Sequence, residues 1–406
     1  MRIMKNKDII VFGIQPWDIK IGSNCKNIAM EFAKNNRVLY VNPPLDTITL
    51  IKERKTEKVK KRLEVRKGKE DGLVSIGPNL WNLYPKTRTR SINWINSRRL
   101  FDRLNRQNAC RFAKDIEEAV KLLGFEDYIL FNDSSMFLGQ HMKELLQPAI
   151  YVYYMRDYLT KNPYWRKHGV RLEPEIIRKA DVVVNNSTLY AEYAAKFNPY
   201  SYMIGQGCDV SLFNSEKNKV QVADDLKAIP KPIIGYVGFL TSTRLSIEII
   251  AYLAETNKNW SIVLVGPEDE HFKKSRLHHQ TNVYFMGSRD SSVLPRYIQG
   301  FDVAMNPQLI NDATIGNYPR KIDEYLAMGK PVLASATRAM EYFREYTYLG
   351  TTKEDYVVLA RKALEEDSPQ LQQGRREFGT SHSWKNNVKE IYKYIELVAN
   401  EKNINL

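Results

Sequence analysis

One segment gathers charged and capping residues in an order that could bind an anion beside a pair of hydroxyls. It reads Asn317-Tyr-Pro-Arg-Lys-Ile-Asp-Glu-Tyr-Leu-Ala-Met-Gly-Lys-Pro-Val332. Asn317 suits a helix cap, Pro319 the first helical turn, and Gly329 the stop before a strand. Arg320 and Lys321 then fall in the first turn, where the positive end of the helix dipole disfavours cations. A bound anion reverses that penalty, and the free amides of a helix start already suit phosphate. Glu324 lies one turn after Arg320, and its carboxylate can accept from two neighbouring hydroxyls such as a ribose carries. The same spacing equally allows an ordinary solvated ion pair between Glu324 and Arg320 or Lys321.

Other reactive side chains have blander readings. Asp133-Ser-Ser135 lacks the glycines of a nucleophile elbow and reads as a helix cap. His278 and His279 have no third ligand at metal-site spacing and read as an exposed helix end. His141 and His168 stand alone, although His168, near Tyr164 and Trp165, could reach a second substrate. Gly22-Ser-Asn24 is too loose for a dinucleotide fingerprint and reads as a loop that begins a helix. Tyr151, Tyr153 and Tyr154 read as strand packing.

These residues need elements to position them. Strands are expected at 8–13, 37–42, 73–77, 128–132, 149–155, 180–185 and 201–204. Helical patterns such as 24–35 and 98–123 lie between several of them. After Pro230 the alternation restarts, with strands at 233–238, 261–266, 283–287, 303–305 and 332–334, and a final helix spans about 384–400. Alternating strands and helices predict parallel sheets covered on both faces. Two such blocks predict an α/β chain of two doubly wound, Rossmann-like domains facing across a cleft at their strand ends. The first domain is expected at 1–215, with 384–406 crossing back to it, and the second at 231–380.

The 406-residue length agrees with more than one domain. Hydrophobic residues at 43% and charged residues at 27% exclude a disordered chain. No apolar run approaches a membrane span, and the N-terminus shows no signal-peptide pattern. Cys25, Cys110 and Cys208 are scattered, as in free thiols of a reducing cytoplasm. The net charge is +14, and the first 215 residues carry 36 basic and 23 acidic side chains, nearly the whole excess. Such a field favours an anionic partner. No nucleic-acid-binding motif accompanies it, so the expected partner is a phosphorylated lipid or the headgroups at the inner face of the cell membrane, with a merely solvated surface as the alternative.

The 317–332 segment resembles the Pro-x-Lys-x-x-Glu-Tyr-Leu-Ala-x-Gly-Lys-Pro-Val signature of nucleotide-sugar glycosyltransferases with the GT-B fold. Flanking segments agree in order: Lys231-Pro-Ile-Ile-Gly-Tyr-Val-Gly-Phe-Leu240, Trp260-Ser-Ile-Val-Leu-Val-Gly-Pro267, Asn282-Val-Tyr-Phe-Met-Gly-Ser288 and Phe301-Asp-Val-Ala-Met-Asn-Pro307. Tyr153-Tyr-Met-Arg-Asp157, Lys179-Ala-Asp-Val-Val-Val-Asn-Asn-Ser187, Gly205-Gln-Gly-Cys-Asp-Val-Ser-Leu-Phe213 and His382-Ser-Trp384 extend the likeness over essentially the whole chain. Its flavour is that of glycosyltransferases of teichuronic-acid and related cell-surface polysaccharide synthesis.

The resemblance implies transfer of a sugar from a nucleoside-diphosphate donor, UDP-linked, to a surface polysaccharide or lipid-linked acceptor. It implies that Glu324 binds the donor ribose and that Lys321 and Arg244 meet the diphosphate, so no metal is required. Gly238 would allow close approach of the donor, Gly287 and Ser288 would lie beside the base, and Thr314 and Asn317, with Asp312, around the sugar. Asp157 would face the acceptor hydroxyl and assist its deprotonation. Gly316 stands where many retaining relatives have a further glutamate. That departure keeps a non-catalytic binding scaffold open as an alternative, and a nucleotide-sugar epimerase is a second, since that chemistry also occurs on this fold.

Overall fold

The structure, a computed structural model, describes residues 4–19, 23–214, 218–311, 314–316 and 318–406. Tertiary contacts divide the chain into two units, residues 1–205 with 387–406, and residues 206–386.

In the first unit, short runs rich in Val, Ile, Leu and Tyr form eight strands of one sheet. They are β1 (Asp8–Gly13), β2 (Arg37–Val41), β4 (Leu73–Gly77), β5 (Leu80–Leu83), β7 (Ile129–Asp133), β8 (Ile150–Met155), β9 (Val182–Asn185) and β10 (Ser201–Met203). Their order is β10-β9-β8-β7-β1-β2-β5-β4. Two further strands, β3 (Leu45–Asp46) and β6 (Arg88–Thr89), pair separately. The sheet departs from the all-parallel expectation at one edge, where β4 and β5 run antiparallel. Asn79, at a φ of 58°, turns the chain within a short connection that no crossover helix could span. β5 itself is unexpected from sequence because four residues make a weak pattern.

The central strands are buried along their whole length, β1 and β8 without exception. Ile10, Phe12, Leu39, Val41, Tyr151 and Tyr153 point to one apolar core, as a two-residue period requires. Tyr151, Tyr153 and Tyr154 are thus packing residues. Residues 387–406 join this unit through contacts such as Asn36 Nδ2 donating to the Tyr392 hydroxyl at 2.8 Å.

The second unit has six parallel strands, β11 (Ile233–Val237), β12 (Ser261–Val265), β13 (Val283–Gly287), β14 (Val303–Asn306), β15 (Val332–Ser335) and β16 (Tyr348–Gly350), in the order β13-β12-β11-β14-β15-β16. Alternate residues feed cores on opposite faces: Ile233, Val237, Val263 and Val265 on one, Ile234, Tyr236, Ile262 and Leu264 on the other.

Strand order reverses between β1 and β7 in the first sheet and between β11 and β14 in the second. At such switch points the following loops diverge to opposite faces and leave a crevice beyond the carboxyl ends of the strands.

Candidate active site

The helix Arg320–Ala327 begins beside the β11/β14 reversal. Its N-cap is Pro319, with no side-chain cap, so Pro319 stands one position before the first turn where sequence had placed it. Asn317, the expected cap, and Asp312 lie outside the described residues. Arg320 and Lys321 are the first two helical residues, as expected, and Gly329, at a φ of 73°, follows the helix end.

Lys321 lies over Gly238. A Cβ built on Gly238 would sit 2.1 Å from Lys321 Cε and 2.6 Å from Nζ, and the ammonium is 5.1 Å from the Tyr236 ring centroid. Gly238 takes a φ of 139°, open mainly to glycine. Behind it, Val237 N donates to the buried Tyr325 hydroxyl at 2.9 Å, which ties the helix to the end of β11.

Glu324 is 16% exposed, and its Oε1 lies 3.9 Å from Arg320 Nη2. Burial pushes its carboxyl up to about 7 against the opposing pull of Arg320 and Lys321. The preceding carboxylate, Asp323, is wholly buried. It accepts from His382 Nδ1 at 2.6 Å and from the Tyr318 hydroxyl at 3.2 Å. This network fixes the rotation of the helix and hence the direction of Glu324.

Glycine ends β13 and directly follows the neighbouring strands β11 and β12. Gly238 N donates to Val265 O at 2.8 Å, and Gly266 N to Gly287 O at 2.9 Å. Gly266, which sequence analysis did not single out, is the tightest of them: its Cβ would lie 2.0 Å from Gly238 O, at a φ of 149°. The available signal was the repetition of glycine after successive strands. Gly266→Ala should therefore displace Gly238 and lower stability by about 2 kcal/mol or more, the cost of a strained backbone plus overpacking. Urea denaturation checks this; a change below about 0.5 kcal/mol contradicts it. Gly287, at a φ of 68°, meets open space, and it and Ser288 are exposed at the sheet edge.

Arg244 is exposed on the loop after β11. Its carbonyl accepts from Leu309 N at 2.8 Å, and Ser246 N donates to Pro307 O at 2.9 Å, so the loops leaving β11 and β14 are stitched together. Thr314 is buried, and its hydroxyl donates to Leu309 O and accepts from Asn311 N at 3.1 Å. It braces the loop from within.

In the first unit, Asp157 follows β8 and is 43% exposed, with Oδ2 held by Arg156 Nη1 at 2.7 Å. Arg156 Nε reaches back to the fully buried Asp133 at 2.7 Å. Asp133-Ser-Ser135 is thus not a helix cap: Asp133 holds an arginine, and Ser134, at a φ of 59°, donates to Tyr154 O. The pull of Arg156 and the sharp turn after β7 override the local capping preference. Ser23 caps the helix Asn24–Ala33, in agreement with the loop-to-helix reading. His168 is buried and stacked on Phe101 with centroids 3.6 Å apart, so it packs and does not face a substrate. His278 and His279 are exposed, with His278 bonded to Glu268 at 2.8 Å. Among the described residues no cluster of His, Cys, Asp and Glu could hold a metal ion.

A helix start with two cations above a glycine floor suits a phosphate chain, and a largely buried carboxylate one turn later suits paired hydroxyls. Residues 231–365 match a family model described as "Glycosyl transferases group 1". TuaH of Bacillus subtilis (strain 168), whose name assigns it to teichuronic acid biosynthesis as a glycosyltransferase, is 25% identical over 237 residues. That match spans 55% of this chain and 58% of TuaH. Among solved structures, sucrose-phosphate synthase from Thermosynechococcus elongatus superposes with a TM-score of 0.62 at 15% identity, over 98% of this chain and 100% of that one. HepE from Anabaena in complex with UDP gives a TM-score of 0.62 at 13% identity, over 96% of this chain and 99% of that one.

Proposed function

From a chain with the GT-B fold, whose residues 231–365 form a group 1 glycosyl transferase domain, we propose a glycosyltransferase that uses a UDP-sugar to extend a cell-surface polysaccharide or its lipid-linked precursor. The observation that carries this reading is the pairing of Lys321 over Gly238 with the largely buried Glu324 one turn along the same helix. The UDP complex of HepE supports the choice of nucleotide, and the name of TuaH supports the choice of product.

In the proposed reaction Glu324 accepts from the ribose hydroxyls, while Gly287 and Ser288 flank the base. Lys321 and Arg244 meet the diphosphate, and the loop braced by Thr314, with Asn317, lies around the sugar. The bond from the anomeric carbon to the diphosphate oxygen breaks, and one to the acceptor oxygen forms. The acceptor's proton passes to Asp157 or solvent, and UDP departs with the electron pair. Lys321 and Arg244 stabilise the charge that develops on UDP, the part otherwise given to a metal. Residues 231–380 hold the donor, and residues 1–215 with 384–406 hold the acceptor at the inner face of the membrane.

A thermal-shift series with UDP, GDP, ADP, CMP and dTDP tests the donor site. UDP at about a hundred times its dissociation constant should stabilise the protein by about 2.7 kcal/mol, read as a rise in melting temperature, with the others well below it. A larger rise with another nucleotide reassigns the base, and no rise with any of them overturns the proposal.

A further inference from the structure

The first unit carries an apolar patch that the proposed chemistry does not use. Trp94 and Ile51 are each 73% exposed, and Tyr164 is 54% exposed. Large apolar side chains this open are notable when they are gathered on one surface, and the segments that carry these adjoin. Ile48 N, one turn before Ile51 in the helix Thr47–Lys52, donates to the Ser91 hydroxyl at 3.0 Å. Trp94 Nε1 donates to Ser91 O at 3.0 Å, Asn93 Nδ2 to Tyr164 O at 2.7 Å, and Lys167 Nζ to Trp94 O at 2.7 Å. One surface therefore joins the helix Thr47–Lys52, the 91–97 segment and the start of the helix Pro163–Lys179.

Its rim is basic. Lys52, Arg54 and Lys55 follow Ile51, and Arg98, Arg99 and Lys167 flank Trp94, all exposed. Glu53 is the acidic residue among the first group. Exposed tryptophan and tyrosine with isoleucine, ringed by lysine and arginine, match the layered chemistry of a bilayer interface: amphipathic rings at headgroup depth, cations on anionic lipid. No described helix is long and apolar enough to cross a membrane, so the contact would be interfacial.

Ser91, Asn93 and Tyr164 of this surface also line a cavity of about 220 Å³ at the β1/β7 reversal, together with Gly13, Trp165 and others. Asn93, one of the lining residues, has its Oδ1 buried without a hydrogen-bond partner in the structure. A lining of amide side chains and aromatic walls suits a hydroxyl-rich ring.

We propose that this face docks on an anionic lipid bilayer and sets the mouth of the cavity at the headgroups, where a lipid-linked saccharide is presented. The use of docking rests on the transfer reading; docking itself does not, and the two fail separately. Sedimentation of the full chain with phosphatidylcholine vesicles, with and without phosphatidylglycerol, tests it. Expected is binding roughly tenfold tighter to the anionic vesicles and weakened by salt. A Trp94→Ala/Ile51→Ala double variant should lose roughly tenfold, since both interfacial anchors are gone. Leu122→Ala, a change at an equally exposed leucine near the far end of the helix Arg98–Leu123, should bind as the parent does. The UDP thermal shift and circular-dichroism melting, measured on the same preparations, report donor binding and folding independently. Equal binding to both vesicle types, or parental binding by a folded double variant, overturns the proposal. So does self-association that the double variant abolishes without any change in vesicle binding, which would give the patch to a second copy of the chain.

Discussion

Replacing Glu324 with glutamine is expected to abolish the UDP-induced rise in melting temperature while making the free protein more stable above neutral pH. The first effect follows from charge-assisted hydrogen bonding. Two hydroxyl bonds to a carboxylate contribute roughly 1.5–3 kcal/mol each, and the amide replaces one acceptor oxygen with a donor, so affinity should fall about a hundredfold or more. The second follows from burial. In the folded chain the Glu324 carboxyl is raised from its ordinary 4.5 to about 7. Between those values the folded state keeps a proton that the unfolded state has released. The resulting stabilisation is complete below about pH 4.5 and is lost as the pH climbs through 7. Glutamine never ionises, so Glu324→Gln should match the parent near pH 4 and exceed it by about 3 kcal/mol at pH 8.

The same titration gives UDP binding a sign. Only the carboxylate accepts from both hydroxyls, so parental affinity should climb about tenfold from pH 6 to pH 8, and the variant's should stay flat. Melting and titration across pH measure both. A variant that binds UDP as the parent does removes Glu324 from the site. A site that trades stability for binding is an expected cost of function.

Arg156→Met is expected to cost about 3–5 kcal/mol, because it leaves the wholly buried Asp133 without its charge partner. The carboxylate has little room to adjust: a Cβ on Gly13 would lie 2.8 Å from Asp133 Cβ. The double variant Asp133→Asn/Arg156→Met should recover most of the loss, since no buried charge is then left unpaired. Urea denaturation of both variants and the parent provides the cycle. A single-variant loss below about 1 kcal/mol would show that water reaches Asp133. Arg156 also holds Asp157, so a transfer assay should register Arg156→Lys as well, because lysine cannot bridge both carboxylates with a planar fork.

Much of this was legible in local pattern. The runs at 8–13, 150–155, 233–237 and 261–265 announce strands because residues buried on both faces need no polar alternation. The helix at 320–327 was legible from its spacing and its terminal glycine, and with it the placing of Arg320 and Lys321 in the first turn and Glu324 in the next. The edge strand β5 was not, since four residues carry little periodicity and its pairing depends on a neighbour. Gly266 was not, because a glycine's purpose is the backbone opposite it, here Gly238 O.

Amino-acid order by itself thus determined the α/β alternation, the glycosyltransferase-like segment and the basic first half, all properties of neighbours along the chain or of simple sums. Tertiary structure alone decided the rest. It turned the Thr314 hydroxyl inward and buried His168 against Phe101. It joined Asp133 to Arg156 across strands and left Trp94, like Ile51 and Tyr164, in the open. Burial and partnership arise from residues far apart in sequence, and the same hydroxyl, imidazole or indole serves as packing or as contact surface according to what the fold places against it.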